Sequence, residues 1–401
     1  MSGDLVAGGY DYDLPSELVA RAPAVKRSSS RLLHWDGQAD GLAAEYTVAA
    51  LDEILAAGDV LVVNDSRVLP ARLWARRRPG GGRVELLLTD PVGDGVWGAL
   101  ARPARKLLAG DSLDLETHAG GLLDVALEVT AAAVAGRVEV RGRGTDMTVL
   151  AEAHGRMPLP PYILKARRDD GLDEGNPDDL ERYQTVYADD TGSVAAPTAG
   201  LHLDEDLLMR LHRRGVTVAR TTLHVGIGTF RNPDAADLSD GRLHAERFHL
   251  PAETYRTVAA ARRGTGRVVA VGTTSLRVLE TVARLDLETE GPDLRRWDET
   301  PAEPRPLFAG SASRVGDAWE VSGRTRLFLR PPDLLGSVDG LLTNFHLPGS
   351  SLLMLVACAL GSDHWRTLYT EAAARRLRFY SYGDATLILP VKGSRQVMEK
   401  S

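Results

Sequence analysis

The sequence predicts an α/β domain with a mostly parallel sheet, interrupted by an inserted all-β module. Three observations predict it. After residue 183, apolar strand-like runs alternate with helix-like segments, the texture of parallel α/β architecture. Between about 71 and 155, short apolar runs alternate with Gly, Asp and Pro turns at intervals near those of small β-barrels. The first 70 residues already hold a helix-like segment and a buried strand, so the β-rich stretch reads as an insert.

Taken in order, "PSELVARA" reads as a helix and "GDVLVVNDSRVLPARL" as a buried strand that ends at a polar turn, Asn64-Asp65-Ser66-Arg67. The runs "RVELLLTD", "VWGALARP", "SLDLE", "LLDVALEVT" and "GRVEVRG" supply the strands of the insert, with no long helix among them. "MPLPPYILKARR" (157–168) is too rich in proline for regular helix and reads as the return crossing out of the insert. "DDGLDEGNPDDLERY" reads as a charged, exposed loop. Beyond it, "GVTVARTTLHVGIGTF" is a strand running into a Gly-rich loop, and "PAETYRTVAAARRGTG" a helix ending at glycine. "RVVAVGTTSLRVLETVARL" reads as strand, turn, helix, and "GLLTNFHLPGSSLLMLVACALG" repeats the pattern. Residues 286–327 carry little signal.

Bulk properties narrow the function classes. The chain of 401 residues can bury a large core, and 43% apolar with 26% charged residues is the balance of an ordinary globular protein rather than a disordered one. A single cysteine, Cys358, excludes an intramolecular disulfide framework and any CxxC motif, which fits a reducing, cytoplasmic setting. The N-terminus lacks a basic start followed by an apolar stretch, so no signal peptide is expected. The most apolar segment, Leu352 to Leu360, falls far short of the roughly 20 residues a bilayer needs and is expected to be a buried helix. A net charge of −7 gives no global electrostatic case for nucleic acid. The cations are nearly all arginine, with lysine only at 26, 106, 165, 392 and 400, and arginine reads phosphate and carboxylate through a planar fork.

Four polar clusters stand where a strand gives way to a loop or helix. They are Asn64 to Arg67; His224, Gly226, Gly228 and Thr229; Gly272, Thr273, Thr274 and Ser275 with Arg277; and Asn344 with His346. In parallel α/β sheets the carboxyl ends of the strands gather on one face, where ligands bind. Any one cluster is more simply a set of turn and capping residues. Four in equivalent positions favour a shared site. The backbone N–H groups and hydroxyls at Gly272-Thr-Thr-Ser275 would suit an anion, although Ser275 would also serve as a helix N-cap. A fifth stretch, "SVAAPTAGLHLDEDLL", brings the small residues Ala196, Pro197, Thr198 and Gly200 up to His202, as if something approached its backbone closely.

Several chemistries are excluded. "RGTGRVVAV" places its glycines before the strand and "HVGIGTF" lacks a third glycine, so neither is a dinucleotide fingerprint, and no GxxxxGK loop occurs. His202, His224, His244 and His346 lie in patterned segments without HExxH spacing, and "HAE" (244–246) has no partner cysteines, so no metal is expected. Proton transfer or hydrogen bonding is the better use of these histidines, with His244 and Glu246 on one face if that piece is extended. "RFYSYGDATLIL" joins Tyr380, Tyr382 and Asp384 ahead of an apolar strand. Packing explains it, and so would a cationic ligand such as a sulfonium.

These segments together resemble one family, the S-adenosylmethionine:tRNA ribosyltransferase-isomerases of queuosine biosynthesis. The matching pieces include "YDLPSELVARAPAVKRSSSRLL", "GDVLVVNDSRVLPARL", "MPLPPYI", "ERYQTVYADDTGSVAAPTAGLHL", "LHVGIGTF", "RLHAERFHL", "VVAVGTTSLRVLE", "LLTNFHLPGSSLLMLVA" and "YSYGDA", in the family's order across nearly the whole chain. The resemblance implies an α/β barrel-like large domain (residues 1–70 and 156–401) with an inserted small β-barrel domain (residues 71–155). It implies no permanently bound cofactor, and S-adenosylmethionine as a substrate that donates its ribosyl unit. The acceptor it implies is the aminomethyl group of 7-aminomethyl-7-deazaguanine in a tRNA anticodon loop, with epoxyqueuosine, adenine and methionine as products.

On that reading His202, His224, Glu246 and His346 are the expected catalytic residues. Expected substrate contacts are Asn64, Arg67, Tyr183, Ala196, Pro197, Thr198, Gly200, Gly226, Gly228, Thr229, His244, Gly272, Thr273, Thr274, Ser275, Arg277, Asn344, Tyr382 and Asp384. One departure stands out: before "LLTNFHLP" the family's Tyr-Pro-Gly-aromatic motif is replaced by Arg330-Pro331-Pro332-Asp333. Two other readings therefore stay open, a paralogue that uses the same donor on a free deazapurine-type acceptor and a non-catalytic RNA-binding homologue.

Overall fold

The computed structural model describes residues 7–37, 43–118, 120–172, 176–230, 232–285, 287, 307–361 and 364–394. Two compact units divide the chain. The first comprises Met1–Asp65, Thr185–Ala188 and Pro197–Ser401; the second comprises Ser66–Gln184 and Asp189–Ala196.

The first unit opens with β1 (Arg31–Trp35), β2 (Ala44–Thr47), the one-turn helix α1 (Leu51–Ile54) and β3 (Val60–Asn64). Every residue of β3 is buried, as in a strand covered on both faces.

The second unit begins with β4 (Ser66–Val68). Then come β5 (Arg72–Arg78), β6 (Arg83–Gly93), β7 (Val96–Arg102), β8 (Ser112–Glu116), β9 (Leu122–Val134) and β10 (Arg137–Gly142). These six close into an antiparallel barrel in the order β10-β7-β6-β5-β8-β9. Leu73, Ala75, Leu86, Leu88, Leu113, Leu115, Leu127 and Val140 are buried in it, with Leu73 and Ala75, Leu86 and Leu88, and Leu113 and Leu115 each two positions apart, as inward-facing residues of a small packed barrel are. The unit is completed by α2 (Met147–His154), α3 (Pro161–Asp169), α4 (Asp179–Arg182) and β11 (Asp190–Ser193), which pairs parallel with β4.

Back in the first unit, α5 (Glu205–Arg213) precedes β12 (Thr217–Leu223), α6 (Ala235–Asp240) and β13 (Arg242–Leu250). There follow α7 (Ala252–Arg263), β14 (Val268–Val271), α8 (Gly272–Ala283), β15 (Phe308–Val315), β16 (Ala318–Leu327), β17 (Gly340–Asn344), α9 (Ser351–Leu360), α10 (His364–Ala374) and β18 (Ala385–Ile388). Local chemistry sets the helix ends. The Asp204 carboxylate accepts from Leu207 N–H at 2.9 Å and caps α5, whose first turn is acidic and last turn basic, in line with the helix dipole. Ser350 caps α9, whose residues Leu353 to Leu360 are all buried, as expected of that apolar run. Leu51 of α1 and Leu55 just after it, together with Leu207 and Leu211 of α5, pack on Leu61, Val63, Val269, Val271 and Leu342 of the sheet.

The large sheet has ten strands in the order β15-β16-β13-β12-β3-β14-β17-β18-β1-β2. It is mixed rather than mostly parallel. Parallel pairing joins β12, β3, β14 and β17, and again β18 with β1, whereas the remaining pairs are antiparallel.

Several local expectations are corrected. "PSELVARA" forms only the 3-10 turn Ser16–Leu18, because Ala20 N–H leaves helical geometry to bond Phe379 O at 3.2 Å. "MPLPPYILKARR" does contain a helix, α3. Pro161 occupies its first turn, where a missing N–H costs nothing. The β-rich stretch ends in α2, capped by Asp146, whose side chain accepts from Thr148 N–H at 2.7 Å. The charged loop after α3 is neither wholly loop nor wholly exposed. Asp179 starts α4 and is 5% exposed, gripped by both terminal nitrogens of Arg167 at 2.6 and 2.8 Å; residues 173–175 of that segment lie outside the described residues. Finally, "GTTS" is no turn. β14 runs straight into α8, because Gly272 adopts φ +86°, a left-handed backbone that side chains disfavour.

Candidate active site

Four neighbouring parallel strands, β12, β3, β14 and β17, end side by side. Their carboxyl ends carry the four polar clusters singled out in the sequence: the His224 loop, Asn64, Gly272 to Ser275, and Asn344 to His346. Antiparallel β13 flanks β12 and adds Glu246.

Glu246 organises one half of the site. Its Oε1 accepts from Gly226 N–H at 2.8 Å, from Thr229 Oγ1 at 3.2 Å and from His244 Nε2 at 3.0 Å, and its Oε2 takes Nη1 of Arg277. Burial opposes ionisation of this carboxyl, but the Arg277 guanidinium, His244 and the Gly226 N–H outweigh it and bring the pKa down to about 2. Because an ionised carboxylate only accepts, His244 donates from Nε2, and the neutral form of the ring keeps Nδ1 as an acceptor. The extended backbone of β13 places His244 and Glu246 on one face. Gly228 makes room for the imidazole: a methyl added there would lie 2.3 Å from His244 Nδ1. Arg277 is 5% exposed, and its Nε and Nη2 have no partner among the described residues.

The other half lies at the end of β17. Asn344 Nδ2 donates to Tyr380 O at 3.0 Å and lies 3.2 Å from His202 Nε2, while its Oδ1 has no partner among the described residues. His346 Nε2 pairs with Thr343 Oγ1 at 2.9 Å, its N–H donates to Tyr369 Oη at 3.0 Å, and its carbonyl accepts from Tyr12 Oη at 2.6 Å. Burial lowers the pKa of His202 to about 4 and of His346 to about 3, so both rings are uncharged at neutral pH. Each ring's depressed value contributes stability above its unfolded pKa of about 6.5, and that contribution declines as pH falls towards 4 for His202. A His202→Asn variant is therefore expected to flatten the fall in urea midpoint between about pH 6.5 and pH 4.

The small-residue run forms the 3-10 segment Thr198–His202. It joins the halves: Ala199 Cβ lies 3.5 Å from where a side chain on Gly272 would begin. Gly200 is required by packing, since a methyl there would sit 2.2 Å from Tyr187 Oη and 2.8 Å from Thr185 Cγ2. Both neighbours are buried, so Gly200→Ala is expected to destabilise by about 1–3 kcal/mol, read as a lower urea midpoint at unchanged slope.

Other expected residues have different duties. The Asn64 amide zips β3 to β12, donating to Leu223 O at 2.9 Å and accepting from Leu223 N–H at 3.0 Å. Ser275 does not cap α8, which starts three residues earlier; its hydroxyl donates to Val271 O at 3.0 Å. The Asp384 carboxylate is occupied by the backbone N–H groups of Arg31 and Arg378 at 3.1 and 2.8 Å and by the Arg378 guanidinium. Tyr382 and Thr273 are buried. Arg67, Tyr183 and Ala196 belong to the second unit. Sequence reading missed Tyr12 and Tyr369, which brace His346, and Thr185 and Tyr187, whose hydroxyls are buried without partners among the described residues. Among the described residues, no group of three or more His, Cys, Asp or Glu is placed to hold a metal ion, and no helix is long and apolar enough to cross a membrane.

The family model described as queuosine biosynthesis protein matches residues 7–388. A relative from Prochlorococcus marinus (strain MIT 9313), named S-adenosylmethionine:tRNA ribosyltransferase-isomerase, is 42% identical over 395 residues and covers 96% of each chain. Relatives of the same name from Symbiobacterium thermophilum and Gloeobacter violaceus are each 40% identical; they cover 95% and 98% of this chain and 98% of their own. A solved structure titled S-adenosylmethionine tRNA ribosyltransferase, from Thermotoga maritima, is 31% identical. It covers 95% of this chain and all of its own, with a TM-score of 0.48.

Proposed function

The chain belongs to the queuosine biosynthesis protein family, and from that premise we propose that it is an S-adenosylmethionine:tRNA ribosyltransferase-isomerase. The ribosyl unit of S-adenosylmethionine passes to the aminomethyl group of 7-aminomethyl-7-deazaguanine in a tRNA anticodon loop. Adenine and methionine leave, and the sugar rearranges to the epoxycyclopentane of epoxyqueuosine. A cytoplasmic setting suits that substrate. The ten-stranded sheet is taken as the barrel-like layer, since sheets of about ten strands rarely stay flat.

The observation that carries the chemistry is the pairing of His244 with an ionised, buried Glu246. The sulfonium acidifies the hydrogens on the adjacent 5′ carbon, and a neutral base within reach removes one. His244 is fitted for this: Glu246 holds its Nε2–H, and Nδ1 is left with its lone pair. Glu246 itself, ionised down to about pH 2, is a weak base, so the proton-carrying role expected of it passes to His244. The proton that His244 takes up is then available to the departing adenine. His202 and His346 are uncharged and serve as hydrogen-bonding walls, and His224 follows the end of β12. Asn344 Oδ1 and Thr274 Oγ1, both buried without partners among the described residues, would meet polar groups of the donor, with Pro197, Thr198 and Gly200 lining it.

The test is incubation with S-adenosylmethionine and tRNA carrying the aminomethyl base, scored by adenine release and product mass. His244→Ala is expected to lower kcat by about 10²–10⁴-fold. A His202→Ala variant with near-normal turnover would confine that residue to packing.

A second reading, a free deazapurine-type acceptor, is favoured by the motif at 330–333. The Arg330 guanidinium is engaged with Leu238 O and lies 5.3 Å from the Phe328 ring, and Asp333 accepts from Arg330 N–H at 3.1 Å. Both charges are thus turned to this chain's own groups. Tight tRNA binding that weakens steeply with salt supports the first reading, and turnover of the free base without such binding supports the second.

A further inference from the structure

We infer that the unpartnered edge of Arg277 seats the methionine carboxylate of the donor, and that this contact selects S-adenosylmethionine against donors lacking that group. The inference rests on the reading of this site as one that binds S-adenosylmethionine.

Arg277 spends Nη1 on Glu246, while Nε and Nη2 have no hydrogen-bond partner among the described residues although the residue is 5% exposed. Those two N–H groups lie on one side of a planar guanidinium, and their spacing matches the two oxygens of a carboxylate. A charged donor pair taken out of water without an acceptor is costly, so its position calls for a ligand. One turn earlier on α8, Thr274 Oγ1 is also buried without a partner among the described residues. Positions i and i+3 share a helix face, so the hydroxyl and the guanidinium edge address the same space.

Charge decides which anion enters. Glu246 already balances Arg277. An amino-acid carboxylate arrives with its own ammonium, so the ligand's methionine end adds no net charge to a buried site. A phosphodiester would add one, and as part of a nucleic-acid backbone it cannot reach a fork that is nearly closed to solvent.

The test is titration calorimetry of the full chain with S-adenosylmethionine and with its decarboxylated form, on the wild type and on Arg277→Lys. Lysine keeps a cation for Glu246 but has no second edge. The wild type is expected to bind the decarboxylated donor on the order of 100-fold more weakly. Arg277→Lys should weaken S-adenosylmethionine by a similar factor and the decarboxylated donor by less than about threefold, so that discrimination collapses. Wild-type affinities within about threefold of each other overturn the inference, as does a variant that weakens both donors equally. If Arg277→Lys does not fold, the wild-type titrations and Thr274→Val decide it, the latter expected to narrow discrimination roughly fivefold. Adenine release is scored separately. Discrimination in binding without adenine release upholds the contact and refutes ribosyl transfer, whereas no binding of S-adenosylmethionine refutes both.

Discussion

Replacing Glu246 by leucine is expected to remove about 3–5 kcal/mol of stability, because it strands the Arg277 cation in a site closed to water. Four groups converge on this carboxylate, from the loop after β12, from β13 and from α8. Its loss releases them together. The pair Glu246→Leu with Arg277→Leu provides the control. Removing both charges is expected to restore most of the stability lost in either single variant, since a buried ion pair contributes little net against a well-packed apolar pair. Activity should not return, which separates the ion pair's role in the site from its role in folding. Urea unfolding of the four proteins measures the cycle, and additive losses would show that the charges are not coupled. The pH dependence has a fixed sign. With its pKa drawn down to about 2 from an ordinary 4.5, Glu246 contributes stability that is complete above pH 4.5 and lost as pH falls towards 2. Glu246→Leu should abolish that part of the acid transition.

Gly228→Ala is expected to lower kcat by about 100-fold with a much smaller change in folding stability, because a misplacement near 1 Å at a reacting group is that costly. The new methyl would collide with the His244 ring at 2.3 Å, and the ring is the movable party, its side chain 26% exposed. Pushed aside, His244 loses its 3.0 Å bond to Glu246 and presents Nδ1 elsewhere. Gly226→Ala supplies the contrast within the same loop. There a methyl would meet His244 Cδ2 at 3.5 Å, an ordinary contact, and the residue's N–H would still reach Glu246. Steady-state kinetics of the two variants checks the idea: equal losses would remove His244 placement as the cause.

The gathering of the polar clusters at one end of the sheet was legible because it follows from strand polarity. Val60 to Val63, Val268 to Val271 and Gly340 to Thr343 read as buried strands, and polar residues after such strands fall on one face if the strands run parallel, as β3, β14 and β17 do. Apolar runs were equally local, whereas the cap expected at Ser275 was not, since α8 begins at Gly272. Leu352 to Leu360 could only be buried, and Pro161 misled because its effect depends on whether it opens a helix or interrupts one.

Roles were another matter. Glu246 and Asp384 look alike as single letters, yet one faces a histidine and an arginine and the other ties backbone N–H groups together. Protonation depends on burial and on neighbours remote in sequence, 31 residues apart in the case of Glu246 and Arg277. The sequence by itself determined which strands deliver polar groups and to which end. Only the tertiary structure decided which of those groups are already satisfied and which, like the edge of Arg277, still lack a partner, because hydrogen-bond completion is settled by long-range packing and not by the order of residues.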